Sequence, residues 1–150
     1  VLVPTILSNN ILKRAFKEDI PVSPMKLQKI LYFVSCEYVK ATDCELLSEI
    51  FVYGPVLPSV YNEFRSFRGN KITEYAKDAN GDSFIYNELT SPNLKAAIDR
   101  VWTFFKQRSG PDLSRITHED GSGWSHAFER KSRTENKAGL QKAKKFPKKK

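Results

Sequence analysis

Ser23-Pro24-Met25-Lys26-Leu27-Gln28-Lys29-Ile30-Leu31-Tyr32-Phe33-Val34-Ser35-Cys36-Glu37-Tyr38 is the stretch that decides the fold. Ser23 can cap the free backbone N–H groups of a helix start, and Pro24 fits the first helical position, where its missing donor costs nothing. Leu27, Ile30, Leu31, Val34 and Tyr38 then recur at helical spacing as one apolar stripe. Lys26, Lys29, Phe33 and Glu37 fall on another face. The stripe predicts a long helix with a side turned to the core.

The same logic extends outward. Leu7, Ile11, Leu12, Ala15 and Phe16 predict an amphipathic helix near 5–18, broken before Pro21. Leu46 to Tyr53 is too short for periodicity to separate helix from strand. Gly54-Pro55-Val56-Leu57-Pro58 reads as a rigid corner, from which Pro58-Ser59 launches a helix through Phe67 with Gly69 as its C-cap. Between 71 and 89, two short β-prone runs flank Asn80-Gly81, which predicts a small β-hairpin or a loop crossing the helical body. Ser91-Pro92 repeats the cap-plus-proline start, and Leu94, Ala97, Ile98, Val101, Trp102 and Phe105 form a stripe ending near Gly110-Pro111. A last short helix is expected around Trp124 to Phe128. The fold class is therefore mainly α, a compact helical bundle with at most one small hairpin.

Length and composition agree. A chain of 150 residues, 40% apolar and 28% charged, belongs to the ordinary globular range as one domain. Cys36 and Cys44 form no CxxC pair and read as free thiols of a reducing compartment. No run of 18 apolar residues exists, so no membrane span is expected, and the start reads as a helix rather than a secretory signal. The expectation is a cytoplasmic protein. Its net charge of +8 is unevenly spread. Of the 25 Lys and Arg and 17 Asp and Glu, ten basic residues and one acid lie in 130–150, which leaves a body near −1 and a tail of +9. Residues 1–129 thus read as the helical domain and 130–150 as a basic, mobile tail.

Three blocks carry a resemblance. Pro24 to Phe33, then Tyr53-Gly54-Pro55-Val56 with Val60-Tyr61, then Leu113-Ser114 through Thr117-His118 with Glu119 and Trp124, follow one another as in the Panacea domain. The chain resembles this SocA-like antitoxin family over about residues 5–129. The resemblance implies a helical domain carried by bacteria, prophages and phages, serving as the antitoxin that neutralises a cognate toxin by direct contact. Beyond Phe128 the sequence departs from the apolar helix with which many members end.

Candidate site residues follow from chemistry. Lys26 and Lys29, one turn apart, form either a solvated face or a cationic pair for an acidic partner. Tyr32, Tyr53 and Tyr61 form a candidate aromatic cluster beside the corner made by Gly54 and Pro55, with Thr117, His118 and Trp124 expected along a pocket wall. A buried tyrosine needs a polar partner, and His118 is an available one. Partner contact is expected at the two lysines and three tyrosines. Catalysis is not expected: there is no G-x-S-x-G around a serine, and His118 with His126 lacks the H-E-x-x-H spacing that would hold a metal. No phosphate-cradling glycine loop occurs, so no cofactor is expected. The Lys-rich tail supplies a second functional class, salt-sensitive contact with nucleic acid through phosphate neutralisation.

Overall fold

Proline opens each of the four α-helices among the described residues. A computed structural model describes residues 1–109 and 111–112. In it, α1 runs Pro4–Glu18, α2 Pro24–Thr42, α3 Pro58–Phe64 and α4 Pro92–Phe105. A first-turn residue has no intrahelical acceptor for its N–H, so proline starts a helix without losing a bond. Single 3₁₀ turns follow α3 at Arg65–Phe67 and precede α4 at Glu88–Thr90. The described part is mainly α, with no strand among the described residues.

The caps are less uniform than the sequence suggests. Ser23 accepts from the Lys26 amide at 3.2 Å, as its position predicts. Ser91 makes no side-chain cap bond, because its backbone sits outside the usual cap geometry at φ −141° and ψ 86°. At α3 the duty passes to Glu49, whose carboxylate accepts from both the amide and the hydroxyl of Ser59 at 3.1 and 2.5 Å. A negative charge there also suits the positive end of the helix. α1 and α2 end on Asp19 and Asp43 in the left-handed region, which short polar side chains tolerate. Gly69 does not close the third helix. Arg68 takes the positive φ of 56° instead.

α2 is the centre of the molecule. Thirteen of its nineteen residues are buried, so it is enclosed on nearly every side rather than along one stripe. Its main neighbour is α4, and Phe33 stacks on Phe105 with ring centroids 4.5 Å apart and 12° between planes. Leu7, Ile11 and Leu12 of α1 and Val60 and Phe64 of α3 complete the core.

The expected hairpin is absent. Residues 71–87 cross the body as irregular chain, the other reading the sequence offered. Asp78 and Asp82 make the local turn, with Asp78 N–H bonding Asp82 O at 2.8 Å. The flanking runs pair with α1 rather than with each other. The Asn9 carboxamide accepts from the Ala76 amide and donates to the carbonyls of Ala76 and Phe84. Asn10 accepts from the Tyr86 amide and donates to its carbonyl. Two buried carboxamides thus satisfy the groups a second strand would have taken. Leu46 to Tyr53 is likewise neither helix nor strand; it carries one bridge from Leu47 to Leu2 and another from Val52 to Val56. No helix among the described residues is long and apolar enough to cross a membrane.

Candidate functional site

The proline corner is built from its backbone outward. Val52 N–H bonds Val56 O at 2.8 Å, and Val56 N–H bonds Gly54 O at 3.0 Å, which closes the chain on itself over five residues. Closure this tight needs two successive positive φ angles, 49° at Tyr53 and 82° at Gly54. Glycine takes that conformation freely, whereas a bulky aromatic residue does so against its own sterics. Pro55 is buried and fixes the next step. The result is a Tyr53 side chain with 95% of its surface in solvent, carried on a left-handed backbone.

Gln28 anchors this corner to α2. Its side chain accepts from the Leu57 amide at 2.8 Å and donates to the Leu57 carbonyl at 3.0 Å. A glutamine buried near the start of a core helix is the signal for such a clamp, because a buried amide must find partners. In the sequence Gln28 stands only as a polar neighbour of Lys26 and Lys29. Asn9, Asn10, Arg14, Glu88 and Glu49 likewise stand there as ordinary polar positions, and each ties a loop to a helix.

The structure separates the three predicted tyrosines. Tyr32 is buried, edge-on to Phe33 and Phe51 at 5.7 and 5.4 Å. It also hydrogen-bonds the Cys36 thiol, whose full burial pushes its pKa well up. Tyr53 and Tyr61 are exposed. Tyr32 therefore belongs to the wall behind the corner, and the other two to the surface.

Lys26 and Lys29 do not lie on a solvated face. They are 6% and 7% exposed, because α2 is enclosed on that side as well. The Lys26 ammonium reaches the Lys106 carbonyl just past the end of α4, a cation at the negative end of that helix. Lys29 has no carboxylate or hydrogen-bond partner among the described residues. Burial lowers the pKa of both. Thr117, His118 and Trp124, the expected last helix and the 130–150 tail lie outside the described residues. Among the described residues no three His, Cys, Asp or Glu side chains converge as metal ligands would.

Fold and corner together define a small, mainly helical domain that holds a constrained aromatic residue on its surface. The family model described as "Antitoxin SocA-like, Panacea domain" matches residues 27–125, and the chain belongs to that family. It is 29% identical over 124 residues to Antitoxin SocA of Caulobacter vibrioides (strain NA1000 / CB15N), a match covering 79% of this chain and 66% of that relative. The chain therefore spans slightly less than two thirds of the relative's length. No solved structure matches it significantly.

Proposed function

We propose that this chain is an antitoxin that neutralises a cognate toxin by binding it directly, without chemistry of its own. Family membership supports the antitoxin role. The observation that carries the binding mode is Tyr53, an aromatic side chain held out at 95% exposure on a left-handed backbone. Strain persists in a fold only where its surroundings over-determine it, and such positions cluster at functional sites. Rigid exposed tyrosines are also favoured interface anchors, because little side-chain freedom is lost on binding. Tyr61 and the rest of the corner then form the contact surface, while Tyr32 and Gln28 hold it from behind.

The test is co-expression with the open reading frame beside this gene. The reading predicts that the neighbour alone arrests growth, that this chain relieves the arrest, and that the two co-purify. A harmless neighbour with no complex would end the antitoxin assignment.

A second reading has one observation in its favour, the net +9 carried by residues 130–150. In it, the tail holds nucleic acid through phosphate contacts, and affinity falls steeply with salt. Deleting 130–150 should abolish any gel shift. A shift that survives the deletion contradicts this version.

A further inference from the structure

A cleft of about 560 Å³ lies between α1 and the chain from Ile85 to Leu89, away from the predicted site residues. Four cations line it, Lys13, Arg14, Lys17 and Lys95, against two carboxylates, Glu18 and Glu88. Both carboxylates are already engaged. Glu88 takes the Arg14 guanidinium at 2.5 Å, and Glu18 accepts from Trp102 Nε1 and Lys106 Nζ at 3.0 and 2.9 Å. Arg14 and Lys95 also both pair with Asp99. Lys13 and Lys17, one turn apart on α1, have no ion-pair partner among the described residues.

The opposite wall offers main chain. Phe84 and Tyr86 turn their backbone groups inward to Asn9 and Asn10. Between them Ile85, which lines the cleft, brings one N–H and one C=O of its own. Neither group has a partner among the described residues. Leu89, 84% exposed, adds apolar surface. Excess positive charge, an open main-chain edge and exposed aliphatic side chains fit an extended acidic peptide containing leucine or a similar residue. A nucleic acid would match the charge but would leave the backbone edge and Leu89 unused.

We propose that this cleft docks an extended acidic segment of a partner protein, paired along Ile85 and held by Lys13 and Lys17. The inference rests on the partner-binding reading and names the chemistry of a second contact.

The probe is a labelled synthetic peptide of alternating Glu and Leu, titrated into the full chain, so the toxin's identity does not enter. Lys13→Glu combined with Lys17→Glu should weaken binding by about tenfold or more. Ile85→Pro, which removes an unpaired N–H along with the Ile side chain, should weaken it by several-fold, and Ile85→Ala, which keeps the N–H, by less. Replacing Lys148, Lys149 and Lys150 by Ser should change it by less than about twofold, because the tail attracts the peptide only non-specifically. Thermal melts confirm that each variant is folded. Binding that ignores the α1 and Ile85 changes but tracks the tail would overturn the proposal. So would a thymidine oligonucleotide that binds wild type tenfold better than the α1 double variant. A harmless neighbouring gene product would end the antitoxin reading and leave this titration unchanged.

Discussion

At Tyr53 the conflict between side chain and backbone can be measured. An L-residue with a bulky side chain at φ 49° carries strain that Asn, a frequent occupant of this region, largely avoids. Tyr53→Asn should therefore raise stability by about 0.5–1 kcal/mol in urea denaturation while weakening the toxin complex by about tenfold or more. Lower stability together with undiminished binding would remove Tyr53 from the interface. Lys29 gives a second case. Its side chain is packed largely out of solvent and its ammonium has no partner among the described residues, so its folded-state pKa lies below the unfolded value of about 10.5. Between those two values the unfolded chain binds more protons, and stability rises with pH; below the folded value the penalty is constant. Lys29→Met should shrink the alkaline rise to the part that Lys26 contributes in the same sense, and add about 0.5 kcal/mol at neutral pH. A pH-stability profile of both proteins decides this. The proline corner singled out Tyr53 and helical spacing Lys29, but the burial of Lys29 follows from the enclosure of α2, which no local pattern reports.

Among the elements, α1 shows what periodicity could not reveal. Its apolar stripe was legible from Leu7 to Phe16, whereas Asn9 and Asn10 looked like ordinary polar positions. They are buried, and together they hold the backbone of Ala76, Phe84 and Tyr86. The two β-prone runs left a hairpin and a crossing loop both open, and the loop is what forms, because the partners in α1 lie about 70 residues away. Asn9→Ala should cost about 2–3 kcal/mol, because it strands the two buried backbone groups of Ala76 and the part-buried Phe84 carbonyl. Asn9→Asp keeps the acceptor, loses the donor and should be nearly as damaging. Chemical denaturation of the two variants provides the check.

The ion cluster of Arg14, Glu88 and Asp99 ties α1 to the loop and to α4. Burial works to raise the Glu88 pKa, yet the bonds from Arg14 and Asn10 outweigh it and hold the carboxyl below its usual range. Asp99 is shifted down in the same way, with Lys95 and Arg14 overcoming desolvation. A depressed carboxylate contributes stability that is present above the unfolded pKa, near 4.5, and is lost as pH falls through the folded value. Acid unfolding should therefore steepen below about pH 4.5, and Glu88→Gln should flatten that limb while lowering stability at pH 7. Circular dichroism across pH 2–7 reads both effects.

Over the whole molecule, the proline-started helices were the legible part, because Pro24, Pro58 and Pro92 announce themselves locally and the stripes behind them point to one core. The corner was legible as a rigid turn, and the residues that seat it were not. Gln28 matters only because Leu57 comes to lie beside it, and Glu49 only because Ser59 does. Charge separates the chain into a near-neutral body and a basic 130–150 segment, a division that composition alone makes legible.

Hydrogen–deuterium exchange on this chain, alone and saturated with the adjacent gene's toxin, tests direct binding at the corner most immediately. The account predicts slowed exchange at the amides of Val52, Tyr53, Gly54 and Val56 in the complex, diminished in Tyr53→Asn. Neutralised toxin with those amides exchanging as fast as in the isolated chain would contradict it.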